Sequence, residues 1–168
     1  MQLEIYNCYY HAMFNTAHRI LKDAFEAEDI MQEAFLTAFT KLKMYKGEVA
    51  FGAWLKRIVI NKSLTQLKKN KRYSDLKMNI QVNEELDVEE QKFHFSGLQA
   101  SQVLEAMNRL KENYRVILTL HLIEGYDYEE ISEILQISNE NVRTTLSRAK
   151  KKIKTFLSEA QQISAHEK

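Results

Sequence analysis

Asn139, Glu140, Asn141, Arg143 and Thr144 stand close together near the end of the chain, followed by Ser147, Arg148, Lys150, Lys151 and Lys152. The first group carries amides, a carboxylate, a guanidinium and a hydroxyl. All of these can hydrogen-bond base edges, arginine being suited to guanine and glutamate to cytosine. The second group is mainly cationic and suited to gripping phosphate. Base-reading groups first and phosphate-binding groups second is the order expected of a recognition helix whose first turns enter the major groove. An ordinary helical hairpin with a solvated basic face carries similar charges. Nor does a helix-turn-helix by itself name a function.

Two helices are needed to present such side chains, the first of them short, and the flanking residues supply the signals for both. Gly125 can close a preceding helix with a positive φ. Asp127 and Glu130 form a capping box for the next helix, in which Ile131, Ile134 and Leu135 line one face. Ile137 is placed to plug the turn, and Ser138, with Asn141 three residues on, to cap a second helix. Val142, Leu146 and Ile153 follow the helical period along that helix. From about residue 98, Val103, Met107, Leu110, Ile117, Leu118 and Leu122 predict the helical support beneath the motif.

The bulk composition agrees with helices. The 168 residues are 45% hydrophobic, with no proline and 4 glycines, which excludes wholesale disorder and favours helices joined by few turns. The expected class is therefore all-α. A single cysteine, Cys8, permits no internal disulfide, and neither a secretory leader nor a long apolar run is evident, so a cytoplasmic location is expected. Cys8 and His11 are spaced like two metal ligands but have no neighbouring partners, so Cys8 is read as a core thiol and no metal or cofactor is expected.

The net charge of +1 conceals a strong segregation. Lys41, Lys43, Lys46, Lys56, Arg57, Lys62, Lys68, Lys69, Lys71 and Arg72 face only Glu48 among the carboxylates of residues 41–72. Residues 84–90 are acidic, and residues 143–154 are basic again. Two basic surfaces flanking an acidic middle suggest two contacts with DNA.

The helical period predicts a helix over about residues 3–21, with Ile5, Tyr9, Met13, Ala17 and Ile20 on its core face. It predicts another over about residues 27–43, with Met31, Ala34, Phe35, Ala38 and Leu42 inward and Asp29, Gln32 and Glu33 together on a different face. A third follows from residue 51 to 70. There Phe51, Trp54, Leu55 and Ile58 have core spacing, with Trp54 read as packing, while Arg57 and Asn61, four apart, are better placed to bind. Residues 73–96 lack sustained periodicity and read as a flexible acidic linker.

Ala27-Glu28-Asp29-Ile30-Met31-Gln32-Glu33-Ala34-Phe35, followed by Phe51-Gly52-Ala53-Trp54-Leu55-Lys56-Arg57-Ile58 and Asn61, resembles region 2 of RNA polymerase sigma factors, specifically the small extracytoplasmic-function group. Leu110, Tyr114-Arg115, Ile117-Leu118, Glu124-Gly125, Tyr128 to Ile131 and Ile137-Ser138 resemble region 4 of the same proteins. Lys111 stands where such proteins often carry proline, and Gln136 where the turn often has glycine.

This resemblance implies two small helical domains joined by a flexible acidic linker: residues 1–75 as region 2, residues 76–97 as linker, and residues 98–168 as region 4 with the helix-turn-helix. It implies that Asp29, Gln32 and Glu33 dock on the beta-prime clamp of core RNA polymerase. The beta flap, promoter DNA and an anti-sigma factor are the other partners it implies, with no small-molecule substrate. Lys46, Phe51, Lys56, Arg57 and Asn61 would capture the unpaired minus-10 strand. The chemistry agrees, since opening DNA without ATP needs aromatic or apolar pockets for unstacked bases beside a cationic track, and Tyr45 adds to that set. Asn139, Glu140, Asn141, Arg143, Thr144, Ser147, Arg148 and Lys151 would bind the minus-35 element.

No nucleophile with a base, paired carboxylates, phosphate loop or metal cluster stands out, so an enzyme is not expected. An autonomous helix-turn-helix regulator and a sigma-like decoy that binds only an anti-sigma protein are the rival readings. The paired region 2 features argue against the first, and the basic helix of residues 56–72 against the second.

Overall fold

The computed structural model describes residues 1–70 and 100–166, all of them in helices or the turns between helices, with no strand among the described residues. The chain divides into two compact units, Met1–Ser74 and Asp75–Lys168. The linker expected at residues 76–97 lies outside the described residues.

In the first unit, α1 (Gln2–Leu21), α2 (Ala24–Thr40) and α3 (Phe51–Lys69) pack against one another as a three-helix bundle. Met13, Ala17, Ile20 and Leu21 of α1 are buried, whereas Ile5 and Tyr9, at the start of the expected stripe, are only half-buried. Cys8, expected in the core, is exposed. At 100° per residue it falls on the far side of α1 from Met13, Ala17 and Ile20.

A two-residue turn joins α1 to α2. Lys22 takes the left-handed conformation (φ 59°), its N–H donating to the carbonyl of His18 at 2.8 Å. Asp23 then caps α2, its Oδ1 accepting from the backbone N–H of Glu26 at 2.9 Å. That cap satisfies a free amide and lets α2 start at Ala24, ahead of the expected residue 27. The helix also ends early, at Thr40, and continues as a 3-10 turn, Leu42–Met44. Leu42, expected in the core, is 40% exposed, because the tighter turn rotates it off the line of Met31, Phe35 and Ala38. In α3, Leu55, Val59, Ile60, Ser63, Leu64 and Leu67 are buried. Asn70 ends that helix, and its Nδ2 donates to Glu26 Oε1 at 2.7 Å, tying the end of α3 to the start of α2.

The second unit comprises α4 (Ala100–Asn108), α5 (Glu112–Leu118), a π turn (Thr119–Ile123), α6 (Tyr128–Leu135) and α7 (Asn139–His166). Met107, Leu110, Ile117, Leu118, Ile131, Leu135, Val142, Leu146 and Ile153 form its core, with Val103 and Leu122 half-buried at the margin. Gly125 has φ 78° behind the π turn. The capping box of α6 is complete: Glu130 N–H donates to Asp127 Oδ1 at 2.8 Å, and Asp127 N–H to Glu130 Oε2 at 2.9 Å. Ser138 Oγ accepts from Asn141 N–H at 3.2 Å to open α7. Between the two helices, Ile137 is half-buried and clamped to Ser132, whose carbonyl accepts from the Ile137 N–H at 3.2 Å and whose hydroxyl donates to the Ile137 carbonyl at 2.6 Å.

Gln136 ends α6 at φ 56° and ψ 46°, so a residue with a Cβ occupies the left-handed position that glycine fills most easily. Holding a non-glycine residue there costs about 1 to 2 kcal/mol, part of which glycine loses again through its greater freedom in the unfolded chain. Gln136→Gly is therefore expected to stabilise the second unit by up to about 1 kcal/mol in urea unfolding, and Gln136→Val to destabilise it. A destabilised glycine variant would show that the Gln136 side chain itself supports the turn.

Candidate functional site

On α7, Val142, Leu146, Ala149, Ile153 and Leu157 form the buried seam. The opposite side of the helix collects Glu140, Thr144, Ser147, Arg148 and Lys151 at intervals of three and four, with Arg143 to one side. Asn139, Glu140, Arg143, Lys151 and Lys152 are exposed, and Asn141, Thr144, Ser147, Arg148 and Lys150 are half-exposed. Every candidate duplex-binding residue therefore reaches the surface over the first turns of one helix. The burial of Val142 and Leu146 against the second unit's core fixes how far that helix can rotate. One contact is not signalled by the spacing of these residues: the guanidinium carbon of Arg143 lies 5.9 Å from the ring centroid of Tyr128.

The first unit carries an aromatic nest at the start of α3. Trp54 lies with its ring centroid 5.1 Å from Tyr45 and 5.7 Å from Phe51, and Tyr45 and Phe51 are 5.7 Å apart edge to face. Tyr9 of α1 reaches Phe51 at 5.7 Å. Gly52 makes room for that approach, since a Cβ there would stand 2.7 Å from the Tyr9 ring. The Tyr45 hydroxyl donates to the carbonyl of Val49, closing a loop in which Gly47 has φ 72° and Lys46 is exposed.

Of the four α3 residues with core spacing, Leu55 is fully buried while Phe51, Trp54 and Ile58 are half-buried. The reason is the helix face: at 100° per residue all three fall to one side of the buried line of Leu55, Val59, Ser63 and Leu67. Trp54, Arg57 and Asn61 recur at intervals of three and four along α3, Asn61 exposed and Arg57 half-exposed. Lys56, also half-exposed, is off that line.

Asp29, Gln32 and Glu33 are all exposed on α2 but have different neighbours. Gln32 Nε2 donates to Glu28 Oε1 at 3.4 Å, and the Glu33 carboxylate pairs with Lys62 of α3 at 3.5 Å. Glu28 also borders α1, where burial first, and then Tyr10 and Glu28, push the Tyr6 phenol above its ordinary value. Phe25 is 87% exposed and Leu36 67%. Phe25, Asp29, Gln32 and Leu36 follow one another at intervals of four, three and four, so two bare apolar side chains bracket the polar pair on one ridge. Their signal in the sequence is negative: neither falls on the core period of α2. No group of three His, Cys, Asp or Glu side chains that could hold a metal occurs among the described residues. No helix among them is long and apolar enough to cross a membrane.

Residues 5–73 match the family described as Sigma-70 region 2, and residues 100–153 the family described as Sigma-70, region 4. The RNA polymerase sigma-H factor of Pseudomonas aeruginosa is 30% identical over 155 residues, which span 86% of this chain and 80% of that protein. The ECF RNA polymerase sigma factor SigM of Bacillus subtilis is 27% identical over 154 residues, 91% of this chain and 93% of SigM. In fold, the chain is similar to the sigma factor RpoE, solved in complex with the anti-sigma factor NepR from Bartonella quintana. That likeness has a TM-score of 0.60 at 21% identity and covers 92% of this chain and 95% of RpoE.

If the ridge of α2 is kept for contact and not for folding, shortening it is nearly neutral for stability. Asp29→Ala, Gln32→Ala and Glu33→Ala are each expected to change unfolding free energy by no more than roughly 0.5 kcal/mol, the Glu33–Lys62 pair being solvated. Urea unfolding followed by circular dichroism is the check. A loss above about 2 kcal/mol for any of the three would place that side chain in the fold's support.

Proposed function

The chain belongs to the sigma-70 family as a member of the extracytoplasmic-function group of RNA polymerase sigma factors, and from that premise we propose which of its surfaces meet polymerase and promoter DNA. As a sigma factor it acts with RNA polymerase in transcription initiation. Residues 1–75 are assigned to region 2 and residues 98–168 to region 4. The observation that carries the assignment is the presence in one chain of two different surfaces suited to DNA. One is a doubly capped helix-turn-helix with base-reading groups on its leading turns. The other is a cationic helix with an aromatic nest at its start.

Duplex and single strand call for different chemistry, and the two surfaces divide along that line. The exposed amides, carboxylate and guanidinium at the start of α7 suit major-groove edges, so Asn139, Glu140, Asn141, Arg143 and Thr144 read the minus-35 element. Ser147, Arg148 and Lys151 hold its phosphates. On α3, Lys56, Arg57 and Asn61, with Phe51 and Lys46 beside them, bind the unpaired minus-10 strand, for which rings and cations are the general solution. Binding the unpaired strand better than the duplex assists melting without a chemical step in this chain.

The exposed side of α2, the ridge with Glu33 beside it, is proposed to dock on the beta-prime clamp of core polymerase through Asp29, Gln32 and Glu33, and the second unit on the beta flap. Acidic and amide groups with bare apolar neighbours fit a partner that is basic and partly apolar. RpoE is held by an anti-sigma factor in its solved complex. A partner of that kind is proposed here too, acting in the cytoplasm where polymerase works.

Transcription from matched promoters by core polymerase, with and without this protein, tests the proposal as a whole. Reversing Asp29 and Glu33 to Lys is expected to lower affinity for core polymerase at least about tenfold, equivalent to 1.4 kcal/mol, while helicity is kept. Undiminished affinity would show the docking face to be wrongly placed. On DNA, Arg143→Ala is expected to relax preference at one base position of the minus-35 element by about 1 to 3 kcal/mol. Lys151→Ala should instead weaken all sequences alike and flatten the salt dependence. Equal loss on every promoter variant for Arg143→Ala would remove it from base readout.

A further inference from the structure

The π turn Thr119–Ile123 and the histidine within it have no part in the surfaces assigned above. Its wider bonding, with Glu124 N–H donating to the Thr119 carbonyl at 3.0 Å, sets His121 beside the start of α6. His121 Nδ1 lies 2.9 Å from the carbonyl oxygen of Tyr126. A carbonyl can only accept, so Nδ1 carries the hydrogen, and the bond fixes the plane of the imidazole. That ring meets Tyr128 at 5.3 Å between centroids, tilted by 49°. Tyr128 is half-buried, and the Arg143 guanidinium carbon stands over its ring, 5.9 Å from the centroid.

We infer that Tyr128 is a positioning residue for promoter recognition: its ring, braced by His121, holds the Arg143 guanidinium in the orientation from which it reads a base. The inference rests on the assignment of Arg143 to base readout. Three physical points support it. Arginine has many rotamers to lose on binding, and fixing it beforehand lowers that loss at the moment DNA arrives. The face of a tyrosine ring attracts a cation from just such a distance. A guanidinium drawn to an aromatic ring spends none of its N–H groups on an acceptor, which leaves them for the bidentate bonds that guanine takes. A carboxylate would occupy those groups, and among the described residues Arg143 has no carboxylate partner.

The test uses the full chain with core polymerase and a panel of promoters changed one base at a time through the minus-35 element. Open-complex formation is compared for the unmodified protein, Arg143→Ala, Tyr128→Leu, Tyr128→Phe and Tyr128→Leu with Arg143→Ala. Tyr128→Leu is expected to reduce discrimination by about twofold to fivefold, at the position that Arg143→Ala relaxes and at no other. Tyr128→Phe keeps the ring and should keep the discrimination, and the double variant should discriminate no less than Arg143→Ala alone. Should Tyr128→Leu fail to fold, His121→Ala removes the brace alone and should relax the same position by a smaller factor.

A uniform loss across the panel would make Tyr128 merely structural and overturn the inference. So would an unchanged base preference for Tyr128→Leu beside a relaxed one for Arg143→Ala, or tighter binding by Tyr128→Leu, which would mean that the ring holds Arg143 back from DNA. If Arg143→Ala relaxes no position, the base-readout assignment fails and the inference falls with it. That outcome is told apart from the others by the Arg143 variant on its own.

Discussion

A helix that must keep one face bare is held only by what its other face buries. In the second unit that holding surface is the seam of Ile131 and Leu135 against Val142, Leu146 and Ile153. Fully burying each such side chain contributes roughly 1.5 to 3 kcal/mol. An eight-residue segment such as α6 would be unstable alone in water, so it exists because the seam and its two ends are satisfied together. The same constraint governs α2, where Ala27, Ile30, Met31, Ala34, Phe35 and Ala38 carry the packing and the ridge on the other side carries none. The surfaces proposed for binding are the faces left over once the core has been provided for.

The leftover faces sort the charge. A net charge of +1 over the chain says little about affinity for anions, because cations and carboxylates occupy different helices. Nor is every cation offered to a partner. Arg115 is buried beside Glu112, with 4.0 Å between its guanidinium and the carboxylate, and serves the inside of the second unit. Lys62 is engaged with Glu33 across α2 and α3. The residues that remain at the surface of α7, Lys151 and Lys152 among them, are on turns whose apolar side is already committed to the core.

Caps and period made much of the helix-turn-helix legible before any coordinates. Gly125 takes the positive φ that its position implies, and Asp127 with Glu130, and Ser138, form the capping bonds that their types and spacing imply. Features that depend on where a helix stops, or on a residue distant in sequence, were not legible. Leu42 satisfied the period, but the chain had already left the α-helix at Thr40. The usual burial of free cysteine points Cys8 inward, while the helix carries it outward. The contact of Tyr9 with Phe51 joins α1 to α3 and rests on the missing side chain of Gly52, which no local pattern announces. For the candidate sites, residue types at helical spacing pointed to the polar groups, and what they did not announce is the contact of Tyr128 with Arg143 and the bare apolar Phe25 and Leu36.

Helix α7 runs for 28 residues, roughly 42 Å at 1.5 Å per residue. Its leading turns lie against α6, and its far half is fastened elsewhere. Arg109, just after α4, stacks over Phe156 at 4.4 Å and pairs with Glu159 at 3.9 Å, while Leu157 is buried. The helix is thus a beam with two clamps, one beside the groups assigned to DNA and one at the other end of the unit. The direction in which the first turns of α7 point is therefore held by packing along the whole length of the helix and not by α6 alone.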